Sequence, residues 1–165
     1  MARVVRRRRI AAPASALWAV ITDPYHLPRW WPNTQRVENV SEDGPAERSW
    51  TQVLETRDGR GVRADYHGVA ATDGERYVFE QTVEGTPFEK FVKRARTEIK
   101  LSPQDGETDV TMSLDRRLRG LSRLGSPMMR RAIGRTLNEA LSGLETAATG
   151  VIRAPSGREA EQGGD

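Results

Sequence analysis

The chain predicts an α+β fold in which a seven-stranded antiparallel sheet, made of a first strand and a six-strand meander, is followed by one long C-terminal helix. Three observations predict it. Five acidic-glycine pairs, Asp43-Gly44, Asp58-Gly59, Asp73-Gly74, Glu84-Gly85 and Asp105-Gly106, punctuate the middle of the sequence. Glycine supplies the positive φ that a tight hairpin needs, and the carboxylate beside it can bond the turn backbone, so each pair reads as a strand reversal. Between the pairs, apolar and polar residues alternate with the period of a half-buried strand. From Met129 to Ala148 the apolar residues recur instead at intervals of three and four, forming one stripe along a helix.

Taken in order, a first strand is expected at about 3–10, followed by the helically spaced apolar run Ala14 to Ile21. Asp23-Pro24-Tyr25-His26-Leu27-Pro28-Arg29-Trp30-Trp31-Pro32 cannot continue that helix. Each proline removes an N–H donor and restricts the residue before it, so the segment is a bend. Its tryptophans either plug the end of a core or line a cavity mouth. Strands follow near 35–42, 46–56, 61–71, 75–83, 88–102 and 107–117. Alternation turns Trp50, Gln52 and Leu54 inward, then Val62, Ala64 and Tyr66, then Tyr77, Phe79, Gln81 and Val83. The next strands contribute Phe91, Ala95, Ile99 and Leu101, then Val110, Met112 and Leu114, with Lys93 falling on the apolar side as a local exception. Ser126-Pro127 reads as an N-cap followed by proline in the first turn, and Gly150 as a stop. The small, polar, glycine-rich end of the chain, 153–165, reads as a disordered tail.

The proline-rich bend, with Ile10-Ala11-Ala12-Pro13 before it, Leu17-Trp18-Ala19-Val20-Ile21-Thr22 leading in and Val37 after it, resembles the opening of the START-like (SRPBCC) superfamily. That group includes polyketide cyclase/dehydrase, lipid-transport and pollen-allergen-like proteins. The order of elements over about residues 4–150 is similar as well. The resemblance implies a helix-grip fold, in which a strongly curved sheet wraps the terminal helix and leaves an apolar cavity between them. It makes 1–152 one domain and narrows function to carriers, sensors and small-molecule enzymes.

Composition sets the outer bounds. With 165 residues the chain has room for one domain with a real core. It has no cysteine, which excludes disulfides, a thiol nucleophile and thiolate ligands, and His26 and His67 are its only histidines. No metal site and no cofactor are expected. Net charge is +3 and arginine greatly outnumbers lysine, which is weak evidence for a nucleic-acid partner. Arg6 to Arg9 followed by Ile10 to Ile21 imitates a signal peptide, but Pro13, Ser15 and Trp18 interrupt it and Asp23-Pro24 is a poor cleavage context. No run is long enough to cross a bilayer, so a cytoplasmic protein is expected, with no stable membrane insertion.

The expected ligand-binding set is Trp50, Gln52, Tyr66, Tyr77, Phe79, Gln81, Phe91, Met112, Met129, Ile133 and Leu137. These are large or amphipathic residues that alternation and the helical stripe direct to one enclosed side; in an arbitrary domain they would pack as plain core, and the resemblance favours a pocket. Asp65 and His67 share a strand face opposite Tyr66, so they are expected outside as a surface ion pair. His26 is expected to be exposed in the bend, and Gly59-Arg60-Gly61 lacks the rest of a phosphate loop. No nucleophilic triad can be assembled, and the catalytic residues are left open. On a strand, Arg6 to Arg9 alternate between faces and cannot form one patch. That run and Arg116, Arg117, Arg119, Arg123, Arg130 and Arg131 read as solvated charge, with no nucleic-acid partner. The reading is a binder of a hydrophobic small molecule, such as a lipid, polyketide or aromatic metabolite. A cyclase/dehydrase-type enzyme in the same cavity is the alternative, and a basic-surface interaction protein the third class.

Overall fold

The computed structural model describes residues 2–120 and 126–153. Its seven strands are β1 (Ala2–Ile10), β2 (Thr34–Glu38), β3 (Ser49–Glu55), β4 (Gly61–Thr72), β5 (Arg76–Thr82), β6 (Val92–Gln104) and β7 (Glu107–Leu118). They form one antiparallel sheet in the order β1-β7-β6-β5-β4-β3-β2. The chain therefore meanders from β2 to β7, and β1 lies along the far edge, with Ala2 opposite Arg116 and Ile10 opposite Thr108. Helices α1 (Ala14–Ile21) and α2 (Leu27–Trp30) fill the link between β1 and β2, and α3 (Ser126–Arg153) packs in the concave face.

Four of the five acidic-glycine pairs make the turns expected of them. Gly59, Gly74, Gly85 and Gly106 all have positive φ, and at the β6–β7 hairpin both Asp105 (φ 49°) and Gly106 (φ 84°) do, the signature of a type I′ turn. Asp43-Gly44 is different. β2 ends at Glu38, Asn39 takes positive φ, and a loop from 39 to 48 replaces the tight reversal, so both flanking strands are shorter than expected. That loop lies on β4: a Cβ at Gly68 would collide with the carbonyl oxygen of Pro45, and the Gly68 N–H donates to the Arg48 carbonyl at 2.7 Å.

The strand expected from 88 begins only at Val92. Pro87–Lys90 is a 3₁₀ turn instead, and a register shift between Val92 and Arg94 marks a bulge at the entry to β6. An extra residue in a strand reverses which faces its neighbours address. Val92 and Ala95 therefore both point inward, whereas Lys93 is exposed and Phe91 is 47% exposed, contrary to the expected inward placement of Phe91.

In the bend, the Asp23 carboxylate accepts the Tyr25 N–H at 3.1 Å and opens a 3₁₀ turn over Pro24–His26, and α2 follows directly. The end of α2 sits on bare backbone of α3. A Cβ at Gly143 would lie 2.5 Å from the Trp30 carbonyl oxygen. Trp30 is buried in the core with Leu17, Val20, Ile21 and Leu27, which meet Ile133, Leu137, Leu141 and Leu144 of α3 and the sheet residues Tyr77, Phe79, Ile99 and Met112. The α3 stripe begins where the Ser126-Pro127 signal places it and runs through Gly150 to Arg153. The tail expected over 153–165 falls, beyond Arg153, outside the described residues. No described helix is long and apolar enough to cross a membrane.

Candidate ligand-binding cleft

Between the first half of α3 and the inward faces of β3 to β7 the packing opens into two abutting chambers of about 400 and 430 Å³. Each lies within the range of small-molecule sites. Leu54, Tyr66, Gln81, Phe88 and Arg116 border both chambers and mark their junction. One chamber extends under Trp31 and Asn33 past Ala95 and Thr97 to Thr136 of α3. The other is the more apolar, walled by Ala64, Phe91, Val92, Leu118 and Met129. Phe88 and Phe91 meet edge to face at its mouth, with centroids 6.1 Å apart, because the 3₁₀ turn and bulge hold both rings at the rim.

The two tryptophans of the bend divide the roles their position allows. Trp30 plugs the core, and Trp31 lines a chamber while touching Phe79 edge to face at 6.1 Å. Below the chambers the floor is solid. Trp50 stacks on Tyr66 at 6.0 Å and meets Phe79 at 5.6 Å, and Tyr77 meets Phe79 at 5.5 Å. Of the expected set, Tyr66, Gln81, Phe91 and Met129 lie on the chamber walls. Trp50, Gln52, Tyr77, Phe79, Met112, Ile133 and Leu137 are packed into the core and line neither chamber. The connected volume expected around Trp50, Tyr77, Phe79 and Ile133 is thus displaced along the strands toward Leu54, Ala64, Gln81, Val92 and Leu118 and the start of α3, since the former fill their own space.

That floor carries unpaired polar atoms. The Trp50 Nε1, both amide atoms of Gln52 and the Tyr77 hydroxyl are buried without a hydrogen-bond partner among the described residues. Each such group costs about 1–3 kcal/mol when left unmet. Burial also pushes the Tyr77 hydroxyl well above the usual tyrosine range, with nearby Arg48 opposing the rise.

At the junction stands a residue outside the expected set. Arg116 follows Val110, Met112 and Leu114 on the inward face of β7 and borders both chambers. No hydrogen bond or ion pair engages its guanidinium among the described residues. By contrast Arg8, Arg9, Arg36, Arg63, Arg76, Arg94 and Arg96 all have carboxylate partners. Burial lowers the Arg116 pKa, with Tyr66 opposing the change, and an arginine stays protonated regardless. Burial pushes the Tyr66 hydroxyl up to about 12, with Arg116 pulling it down, so at neutral pH Tyr66 is an O–H donor. Gln81, its cross-strand partner, presents its amide beside it. The alternation that turned Leu114 inward, continued by two residues, reaches Arg116.

The remaining candidates lie elsewhere. Asp65 and His67 face outward as expected, yet they do not pair: Thr51 Oγ1 donates to Asp65 Oδ1 at 2.7 Å, and His67 Nδ1 meets Thr82 Oγ1 at 2.7 Å. Thr51 stands directly opposite Asp65, and Thr82, which stands opposite Asp65 on the other side, reaches His67 diagonally, so each side chain bonds to a neighbouring strand instead of along its own. His26 is half-exposed and 3.5 Å from Asp23. Arg8 reaches Glu145 on α3 while Arg9 reaches Asp109, so consecutive arginines of β1 go to different partners as the strand period requires. Among the described residues no three His, Asp or Glu side chains converge as metal ligands would.

Residues 1–149 match the model of the family described as polyketide cyclase / dehydrase and lipid transport. The chain belongs to this family. Among solved structures, the Zhui aromatase/cyclase from Streptomyces sp. R1128 is similar with a TM-score of 0.75 at 18% identity, over 94% of this chain and 98% of that one. A START superfamily protein from Mycobacterium smegmatis matches with a TM-score of 0.73 at 15% identity, over 90% and 98%. The protein TTHA0849 from Thermus thermophilus matches with a TM-score of 0.73 at 21% identity, again over 90% and 98%. No curated protein matches the chain. At these identities the structural likeness shows the fold, which is the START-like helix grip. Family membership agrees with a fold that holds a hydrophobic ligand.

Proposed function

We propose that the protein binds an apolar small molecule, such as a lipid, a polyketide or another aromatic metabolite, in the two-chamber cleft between the sheet and α3. The observation that carries this reading is the cleft itself. A half-open cleft of this size, walled by Leu54, Phe88, Val92, Leu118 and Met129, exposes apolar surface to water, and a ligand that covers that surface gains about 25 cal/mol per Å². Family membership supports the same reading. Its test is native mass spectrometry of gently purified protein, followed by extraction and identification of the retained compound. A mass increment of one apolar molecule per chain is expected; a bare chain mass, together with no saturable uptake of an apolar probe, would oppose the reading.

A second reading, a cyclase/dehydrase-type enzyme in the same cleft, is favoured by the likeness to an aromatase/cyclase and by the polar junction of Tyr66, Gln81 and Arg116. Binding alone is the better supported of the two. The tyrosine, pushed up to about 12, is a hydrogen-bond donor rather than a base at neutral pH, and no histidine lines either chamber.

A further inference from the structure

Arg116 gives the cleft a chemical preference that an apolar wall cannot. It is an arginine pointing inward, half-buried, bordering both chambers and lacking a carboxylate within ion-pair distance among the described residues. Among the described residues Glu55 is the one acidic side chain on the chamber walls, and it is exposed at the outer end of the chamber under Trp31. A desolvated charge without a partner destabilises the fold that holds it, and replacing it with an apolar side chain of similar size is commonly neutral or stabilising. Its planar fork of donors fits an oxyanion with two oxygens. Beside it the Tyr66 hydroxyl and the Gln81 amide also lack hydrogen-bond partners among the described residues, so the junction presents several donors converging on one place. The more apolar chamber opens directly from it, toward Val92, Leu118 and Met129.

We propose that the cleft selects a monoanionic amphiphile, whose carboxylate sits on the Arg116 guanidinium at the junction and whose apolar body extends into the chamber walled by Val92, Leu118 and Met129. The inference rests on the binding reading above and adds the charge of the ligand to it. A carboxylate matches better than a phosphate monoester, since one guanidinium neutralises one unit of charge and a dianion would keep a second, desolvated one. Tyr66 donates to the same group, and no proton has to move.

The test uses the whole chain at neutral pH and four named probes: the neutral dye N-phenylnaphthylamine, and dodecanoate, dodecanol and dodecyl phosphate as its competitors. Dodecanoate is expected to displace the dye about tenfold or more tightly than dodecanol, as a charge-assisted hydrogen bond in a partly desolvated site implies. Arg116→Met should remove that ratio, so that dodecanoate binds no more tightly than dodecanol, and hold or raise the melting temperature. An arginine with a merely structural role would lower the melting temperature and leave the ratio alone. If the wild type takes up neither dye nor dodecanol in a saturable manner, the binding reading itself fails. Saturable dye binding with dodecanoate no tighter than dodecanol overturns the role of Arg116 alone, and this comparison needs no variant. Dodecyl phosphate binding tenfold more tightly than dodecanoate overturns the carboxylate in favour of a phosphate.

Discussion

Three glycines on the single helix α3 should respond to the same substitution with opposite signs. Around Gly150 nothing lies within 4 Å of the position a methyl group would take, and its φ is not positive, so Gly150→Ala collects the ordinary helical preference for alanine, about 0.5–1 kcal/mol. At Gly134 the nearest atom is the Arg6 Nη2 at 2.5 Å, the far end of a flexible side chain that can swing aside. Gly134→Ala should therefore be stabilising by a similar or slightly smaller amount. Gly143 faces the Trp30 carbonyl oxygen, Cα and carbonyl carbon at 2.5, 2.9 and 3.1 Å, all backbone, and backbone cannot rotate away. A clash with fixed backbone falls in the upper part of the overpacking range, about 2–3 kcal/mol, so that after the helical gain a net loss of about 1–2 kcal/mol remains. In a domain of this length that lowers the melting temperature by about 2–8 °C, while Gly150→Ala raises it by about 1–4 °C. Thermal unfolding followed by circular dichroism separates the two. Because Trp31 follows Trp30 and lines a chamber, Gly143→Ala should also weaken uptake of an apolar dye. A Gly143→Ala protein as stable as Gly150→Ala would refute the seating of α2 on α3.

Phe79→Ala removes a ring that touches Trp31, Trp50, Tyr66 and Tyr77 in the floor, and should cost about 3–5 kcal/mol in chemical unfolding; a loss below about 1.5 kcal/mol would mean that the floor is not close-packed. At Glu98, burial pushes the carboxyl up, but Arg76 and then Lys100 more than offset it, so the net shift is below the usual value of 4.5. Its contribution to stability is present above that unfolded value and is lost as pH falls through the lower folded one, so Glu98→Gln should flatten the acid limb of a plot of urea midpoint against pH. An unchanged acid limb would remove the pairing with Arg76 from the account of stability.

Much of this fold was legible because its signals are local. A glycine beside a carboxylate reports its turn within a few residues, and the β6–β7 hairpin at Asp105-Gly106 falls where the pair predicts. The α3 stripe repeats often enough that no single residue decides it. What escaped are events of one residue whose cause lies elsewhere in space. The bulge at Val92–Arg94 inverts the inward set at the start of β6, which explains both the outward Lys93 and the exposed Phe91. The loop 39–48 is set by its seat on Gly68, a contact with no counterpart in local sequence. Alternation also reports which side a residue faces without reporting whether that side is filled. Trp50, Tyr77 and Phe79 point inward and fill their own space, and the open volume lies where the smaller Ala64, Ala95 and Thr97 face α3. Arg116 was within reach of the pattern, but grouped with the neighbouring arginines as surface charge it was separated from Leu114, whose face it shares.

The most direct measurement is a fluorescence titration of N-phenylnaphthylamine into the wild type and into Ala95→Trp. Ala95 is buried, and its side chain faces the chamber under Trp31, so an indole there occupies the space a ligand would take. Saturable binding of one dye per chain to the wild type, with a tenfold or greater loss in an Ala95→Trp protein that retains its circular dichroism, is the predicted result. Absence of saturable binding to the wild type, or equal binding to both folded proteins, would contradict a ligand site between the sheet and α3.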